Sequence, residues 1–96
     1  MTDSAWQGQV ALISGAGSPD GIGIAIARRL GRAGVKLIIT ASSARIAERV
    51  AELRREGFCV EGRPADLTDE VQVEQLVTWA ERVWGRIDIL VNNAGM

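Results

Sequence analysis

The sequence predicts an α/β fold in which three helices cover a four-stranded, parallel, doubly wound sheet. Two observations support this fold class: short apolar runs alternate along the chain with segments of helical periodicity, and the connections between them are short. Such alternation is typical of parallel sheets with right-handed crossovers. No internal repeat, low-complexity tract or linker interrupts the 96 residues. We therefore expect one domain over residues 1–96, with residues 1–8 as an N-terminal tail.

Four short apolar runs are predicted to be strands. "QVALIS" (9–14) and "KLIIT" (36–40) are continuously apolar, which is typical of strands buried on both faces of a sheet. "CVEGRPA" (59–65) is less apolar, and Pro64 lacks a donor for a neighbouring strand, so it is predicted to lie at an edge. "IDILVN" (87–92) is the fourth. The expected strand order is 3-2-1-4, truncated after the fourth strand.

Two helices are predicted over residues 22–33 and 42–57. Ser42 or Ser43 is expected to cap the second one, and a glycine, Gly57, to end it. The first helix is expected to end at another glycine, Gly34. The apolar residues with helical spacing are Ile22, Ala25, Ile26, Leu30 and Ala33 in the first helix, and Ile46, Val50 and Leu53, with Ala47 and Ala51 beside them, in the second.

The third helix is predicted over residues 67–85. Thr68 is the expected N-cap, acidic residues follow it at the positive end of the helix dipole, and Gly85 closes the helix. Its predicted buried face consists of Val73, Leu76, Val77, Ala80, Val83 and Trp84.

Composition excludes several kinds of function. A net charge of −1 gives no reason to expect nucleic acid or a membrane as a partner. The single cysteine, Cys59, cannot form an internal disulfide, and the absence of histidine makes a Cys/His metal site implausible, so no metal is expected. The start of the chain lacks the pattern of a signal peptide, and no apolar run has the length of a membrane span. These features predict a cytoplasmic protein.

Four glycines lie directly after the first predicted strand. They are Gly15, Gly17, Gly21 and Gly23, and the first helix follows them. A strand, a glycine loop and a helix N-terminus form the phosphate-binding corner of a Rossmann-type dinucleotide fold, because glycines allow the main chain to approach a pyrophosphate. No Lys-Ser or Lys-Thr pair follows, which disfavours a P-loop. The alternative is a glycine-rich turn that only closes the corner.

The end of the second strand indicates which dinucleotide is bound. "ITASSAR" contains no acid to hold a ribose 2′-hydroxyl, whereas Ser42, Ser43 and Arg45 lie together at the start of the second helix. A phosphate would compensate for an arginine at the positive end of a helix. We therefore expect this corner to bind the 2′-phosphate of NADP, with NAD as a possible cofactor. The alternative is a solvated arginine beside two serine caps.

Three motifs in this order resemble the short-chain dehydrogenase/reductase family. They are "SGAGSPDGIG" (14–23), "ADL" (65–67) and "ILVNNAG" (89–95), and the resemblance extends from Gln9 to the last residue. It implies a Rossmann-type fold and an oxidoreductase that transfers a hydride between NADP(H) and a carbonyl or alcohol. Members similar to 3-oxoacyl-[acyl-carrier protein] reductases are the nearest subtype. The chain would be the N-terminal, cofactor-binding part of such an enzyme.

The resemblance also implies roles for individual residues. Asp66 would accept a hydrogen bond from the adenine amino group, with Leu67 beside it, and Asn92 would help to hold the sheet together. Helix capping is the alternative for Asp66, and an ordinary turn for Asn92 and Asn93. The residues expected to contact the cofactor are Gly15, Gly17, Ser18, Gly21, Ile22, Gly23, Ser42, Ser43, Arg45, Asp66, Leu67, Asn93, Ala94 and Gly95.

The sequence departs from the family pattern in two places. Five residues separate Gly15 from Gly21, more than is usual in the family, and they include Pro19 and Asp20. Asp20 would repel a pyrophosphate and is expected to point outward. The family's catalytic Asn, Ser and Tyr-x-x-x-Lys would all follow "NNAG", and the chain contains no tyrosine. No catalytic residue is therefore expected among the 96, and the chain alone should be inactive.

Two other functions remain open at this point. The first is a truncated, non-catalytic module that binds a nucleotide. The second is another Rossmann enzyme such as a methyltransferase, against which "NNAG" argues. The bare apolar edge of the fourth strand also predicts self-association or a homo-oligomer, which the oligomeric state in solution would test.

Overall fold

A computed structural model describes residues 5–93, in which strands and helices alternate as predicted. The elements are β1 (Val10–Ile13), α1 (Ile22–Arg32), β2 (Lys36–Ala41), α2 (Ile46–Arg55), β3 (Val60–Pro64), α3 (Glu70–Trp84) and β4 (Ile89–Val91). Their bounds differ from the predicted ones by a few residues at most, as expected for element ends.

The four strands form one parallel sheet in the order β3-β2-β1-β4, which confirms the predicted topology. Leu12 in β1 lies beside Ile38 in β2 and Leu90 in β4. Successive connections run outward to β3 on one side of β1 and return to β4 on the other. The ends of β1 and β4 are therefore the switch point where an open α/β sheet forms its crevice.

The central strands are buried on both faces. Every residue of β1 is buried, as are the four central residues of β2. On one face, α1 and α2 pack over a cluster that includes Ile13, Ile24 and Ile39. On the other, α3 packs over a smaller cluster that includes Leu12 and Ile38. The uninterrupted apolar runs in the sequence thus correspond to a three-layer arrangement.

The buried face of α1 agrees with the predicted one only in part, since Ile26 and Leu30 are partly buried and pack against the core as expected. Ile22 is 67% exposed and Ala25 is exposed, whereas Gly23, Ile24 and Ala27 are buried. The helix is rotated from the predicted face because Gly23, a residue with almost no hydropathy signal, packs against the main chain of Gly15 and Ala16.

Gly23 sets how closely α1 approaches the preceding loop. A Cβ at Gly23 would lie 2.6 Å from the carbonyl oxygen of Gly15 and 3.0 Å from Cα of Ala16. Both atoms belong to the main chain and cannot move without shifting the end of β1. The glycine therefore allows a contact that any side chain would push apart.

In α2 the prediction is partly confirmed. Ile46, Val50 and Leu53 are buried, but the alanines predicted to lie beside them are exposed. Arg49 is buried instead, and its Nη2 lies 3.1 Å from Glu48 and 2.9 Å from Glu52. Within residues 5–93, its Nε and Nη1 have no hydrogen-bond partner.

The predicted N-caps of α2 and α3 are wrong. The N-cap of α2 is Arg45, without a capping side chain, because Ser43 Oγ accepts from the Arg45 amide at 3.1 Å and forms a turn before the helix. The N-cap of α3 is Asp69, whose side chain accepts from the Val71 amide at 3.0 Å. The glycines predicted at helix ends are confirmed, since each has a positive φ: Gly34, Gly57 and Gly85.

The face of α3 is less buried than predicted. Only Leu76 and Ala80 are fully buried, and the other four predicted positions are partly exposed. Leu90 in β4 is 69% exposed. The outer edge of β4 has no neighbouring strand among the described residues. A shallow apolar cavity of about 260 Å³ between α3 and β4 follows from this open side.

No helix in the described part of the chain is both long and apolar enough to cross a membrane. Residues 5–93 also contain no cluster of three or more potential metal-binding side chains.

Asp88 joins the amino-terminal ends of β1 and β4. Its Oδ2 accepts from the Val10 amide at 2.8 Å, and its own amide donates to the Val10 carbonyl at 2.9 Å. Its Oδ1 accepts from Arg86 at 2.7 Å. The hydrogen bond from Arg86 and the one from the Val10 amide lower the pKa of Asp88 below its ordinary value.

Replacing Gly23 should weaken the fold. We expect Gly23→Ala to lower the free energy of unfolding by about 1–3 kcal/mol, because the new methyl overlaps main-chain atoms. Gly21→Ala is the matched control: its Cβ would meet the exposed Ser18 side chain at 3.2 Å, and we expect a loss below about 1 kcal/mol. Urea unfolding followed by circular dichroism measures both. Equal losses would show that the close approach at Gly23 is unimportant.

The Asp88 contacts should make stability dependent on pH. Because the pKa is lowered in the folded state, the charged carboxylate stabilises the fold above its unfolded pKa, near 3.8, and this contribution is lost as the pH falls through the folded value. We expect Asp88→Asn to lower the melting temperature at pH 7 and the difference from the unaltered chain to shrink in acid. Asp20→Asn is the control, since the Asp20 side chain has no hydrogen bond within residues 5–93. A loss of melting temperature in Asp88→Asn that is as large in acid as at pH 7 would contradict this role.

Candidate cofactor-binding site

A cavity of about 610 Å³ opens at the carboxyl ends of the strands, at the switch point of the sheet. Its volume lies within the range of small-molecule sites. Turns that follow all four strands contribute to it. The lining residues are Gly15, Gly17, Ala41, Ser42, Ser43, Ala65, Asp66, Leu67, Thr68, Asn92 and Asn93.

The glycine loop gives the cavity a wall of bare main chain. Gly15 has a φ of +68°, a conformation that side chains disfavour, and this turns the chain sharply at the end of β1. A Cβ at Gly17 would lie 3.0 Å from Cβ of Ala41, so the loop rests directly on the end of β2. A phosphate could approach these main-chain atoms closely, which is what the predicted role requires.

The start of α1 has features that favour an anion. Its N-cap is Gly21, which provides no capping side chain, and its first turn contains no acidic residue. The first amides of the helix are thus left without a side-chain acceptor, and the positive end of the dipole is not neutralised.

The residues that lengthen the loop fold onto themselves. The Ser18 carbonyl accepts from the Gly21 amide at 3.3 Å, and Ser18 Oγ accepts from the Asp20 amide at 3.4 Å. Ser18, Pro19 and Asp20 are all exposed. The extra residues therefore form a small surface turn and leave the cavity open.

Two serines line the cavity after β2, whereas Arg45 does not. Ser42 and Ser43 are both exposed lining residues. Arg45 lies exposed at the N-cap of α2, and its side chain has no acceptor within residues 5–93. Arg45 follows Ser43 by two residues, so its exposed guanidinium is a candidate partner for an anion bound beside the two serines.

Asp66 has a defined arrangement in the turn after β3. Its Oδ1 accepts from the Thr68 amide at 2.9 Å and from Thr68 Oγ1 at 2.6 Å. These two hydrogen bonds, the hydroxyl first, lower the pKa of Asp66 and keep it ionised. The alternative role of Asp66 as a helix cap is not what the structure shows, because Asp69 is the N-cap of α3.

The carboxyl ends of β1 and β4 are joined through Ser14. Its hydroxyl oxygen accepts from the Asn93 amide at 3.0 Å and lies 3.3 Å from Asn92 Oδ1. Asn93 Nδ2 donates to the Gly15 carbonyl at 3.4 Å. These contacts agree with the predicted structural role of Asn92, and they also place Asn93 against the glycine loop.

The structure brings together about half of the predicted contact residues. Those that line the cavity are Gly15, Gly17, Ser42, Ser43, Asp66, Leu67 and Asn93. Those that lie outside its lining are Ser18, Gly21, Ile22, Gly23 and Arg45. Ala94 and Gly95 lie outside the described residues.

Sequence reasoning missed four lining residues. They are Ala41, Ala65, Thr68 and Asn92. Each lies at the carboxyl end of a strand or in the turn after it, so strand ends were the available signal. Ser14 was also missed as a contact between strands, although a polar residue at the end of an apolar run was visible in the sequence.

Comparison with known proteins gives consistent results. The family model described as short chain dehydrogenase matches residues 9–96. An uncharacterized oxidoreductase of Bacillus subtilis is 43% identical over 89 residues, which are 92% of this chain and 34% of that protein. Trihydroxynaphthalene reductase of Colletotrichum orbiculare is 36% identical over an aligned stretch of 98 residues, which covers 100% of this chain and 34% of that protein.

Solved structures of similar proteins share the fold. A variant of actinorhodin polyketide ketoreductase, solved with NADPH, has a TM-score of 0.87 and 37% identity, covering 100% of this chain and 36% of that one. A short chain dehydrogenase/reductase from Burkholderia phymatum, solved with NAD, has a TM-score of 0.83 and 34% identity, covering 88% of this chain and 30% of that one.

The chain spans about a third of the length of the curated relatives that it matches. The family match nevertheless covers nearly all of its own residues, and it includes every strand and helix described above. With its Rossmann-like sheet and its crevice at the strand ends, the chain belongs to the short-chain dehydrogenase family.

Proposed function

We propose that this chain binds NADP(H) and forms the cofactor-binding part of an oxidoreductase that interconverts carbonyl and alcohol groups. The observation that carries the proposal is the cavity at the switch point, whose walls combine bare glycine main chain, two serines and an ionised aspartate. When bound, the dinucleotide supplies the hydride donor or acceptor. The residues of this chain bind and orient it.

The two ends of the cavity suit different parts of a dinucleotide. The proposed adenine side is formed by Asp66 and Leu67, where a carboxylate oxygen can accept from the amino group. The pyrophosphate is proposed to lie against Gly15 and Gly17, near the uncapped start of α1. On the other side Asn93 is held against the glycine loop, and with Ala94 and Gly95 it is proposed to line the nicotinamide ribose.

The preference for NADP(H) over NAD(H) rests on the turn after β2. None of the lining residues from this turn is acidic, so no carboxylate is present to accept from a ribose 2′-hydroxyl or to repel a 2′-phosphate. Ser42 and Ser43 can donate hydrogen bonds to a phosphate, and the exposed Arg45 can pair with it. Structural neighbours have been solved with NADPH and with NAD, so the proposed preference rests on the residues of this turn and not on the neighbours.

Catalysis by these residues alone is not proposed. The sequence contains no tyrosine and no histidine, and its only lysine, Lys36, lies at the start of β2, away from the cavity at the opposite end. We therefore propose binding without hydride transfer for these 96 residues. The substrate class suggested for the whole enzyme is a ketone, in view of the neighbouring polyketide ketoreductase.

The cofactor preference can be measured by binding. We expect NADPH to bind this chain at least about tenfold more tightly than NADH, and Arg45→Ser to weaken NADPH binding by about fivefold to tenfold with little effect on NADH. Isothermal titration calorimetry gives all four dissociation constants. Arg55→Ser at the other end of α2 is the matched control and should change neither. A clear preference for NADH would overturn the proposed role of this turn.

Activity can be tested separately from binding. We expect the 96 residues to bind NADPH but not to oxidise it in the presence of a ketone, because they provide no tyrosine to supply the proton. Loss of NADPH absorbance measures turnover, with a complete short-chain reductase as the positive control. Measurable turnover by this chain would show that another residue supplies the proton.

A further inference from the structure

The turn between β3 and α3 contains a closed network of side-chain hydrogen bonds. Besides the two bonds from Thr68 to Asp66, Gln72 Oε1 accepts from the Asp66 amide at 2.9 Å. Gln72 Nε2 donates to Asp69 Oδ2 at 3.2 Å, and Asp69 Oδ1 caps the helix. Asp66, which lines the cavity, is thus held by hydrogen bonds to both its side chain and its main chain.

This network determines which oxygen of Asp66 remains available. Oδ1 accepts both bonds from Thr68, whereas Oδ2 has no donor among residues 5–93. A carboxylate on an exposed turn would otherwise rotate between several rotamers, and each ordered rotamer has an entropic cost. Two short bonds to one oxygen fix the rotation and leave the other oxygen for a ligand.

Thr68 is well placed to orient Asp66 because its side chain has no other structural role, as its exposure and the capping of α3 show. It is exposed, it lines the cavity, and it does not cap α3, whose N-cap is the next residue. Its hydroxyl proton is committed to Asp66 at 2.6 Å. Gln72 is partly buried, and its amide bonds to two residues of the turn, so it holds the turn to the first turn of α3.

We propose that Thr68 and Gln72 are positioning residues that fix Asp66 with Oδ2 directed at the amino group of a bound adenine. This inference rests on the proposed function, because it assigns recognition of the adenine edge to the same cavity. Neither residue needs to touch the cofactor. Their effect is discrimination between bases: a fixed acceptor favours a 6-amino group and disfavours a carbonyl oxygen at that position.

The test compares NADPH with its hypoxanthine analogue, in which the adenine amino group is replaced by an oxygen. Dissociation constants are measured by calorimetry for the 96-residue chain and its variants. We expect the unaltered chain to prefer NADPH by about tenfold. Thr68→Val, which keeps the shape and removes the hydroxyl, should reduce this preference to about threefold or less.

Three further variants separate positioning from general damage. Thr68→Ser restores a hydroxyl and should restore the preference. Gln72→Met removes the acceptor for the Asp66 amide and should reduce the preference, which provides a second test if Thr68→Val does not fold. Thr78→Val makes the same chemical change on an exposed part of α3 without a side-chain hydrogen bond in the described structure, and it should leave the preference unchanged.

The outcomes distinguish this inference from the proposed function. If the unaltered chain binds neither dinucleotide, the proposed function fails and the inference fails with it. If it binds both with the expected preference, and Thr68→Val and Gln72→Met keep that preference, cofactor binding stands and the positioning role is overturned. Equal binding of both dinucleotides by the unaltered chain would also overturn it, because Asp66 would then not recognise the amino group.

Discussion

The alignment of β1 with β4 is the contact on which the site depends. It is fixed at one end by Asp88, which bonds the Val10 amide, and at the other by Ser14, which bonds the Asn93 amide. Between these two points the strands share only a short ladder. Hydrogen bonds from side chains therefore hold β1 against β4, a task that main-chain hydrogen bonds would perform in a longer strand. They also maintain the shape of the crevice between the two strand ends.

Features that depend on local sequence could be predicted, and those that depend on packing could not. The strands were recognisable because the buried runs are continuous, and the glycines at helix ends because their positive φ is a local requirement. The rotation of α1 was not, since it depends on the close packing of Gly23 against the main chain, where a Cβ would lie 2.6 Å from the Gly15 carbonyl oxygen. Nor was the burial of Arg49, because hydropathy places an arginine in solvent.

The same division applies to the site. The glycine loop and Asp66 were expected from motifs, and both line the cavity. Thr68 was predicted as a helix cap, whose hydroxyl would accept from a helix amide, but its hydroxyl donates to Asp66 and Asp69 caps α3 instead, a choice that the sequence does not decide. The cavity has an asymmetry that no single motif reveals: an ionised carboxylate lies on the β3 side and two serine hydroxyls lie after β2, with the exposed Arg45 outside the lining.

The pairing of β1 with β4 also has a consequence for how the chain folds. The residues joined by the Asp88 contact are 78 positions apart, whereas β1, β2 and β3 pair with their near neighbours in sequence. Closing the longest loop costs the most chain entropy and brings only a three-residue strand into place. We therefore expect β4 to join the sheet last and to leave it first. The part of the cavity wall that contains Asn93 would then form only when the chain is fully folded. A ligand bound in the crevice would therefore stabilise the product of the final folding step.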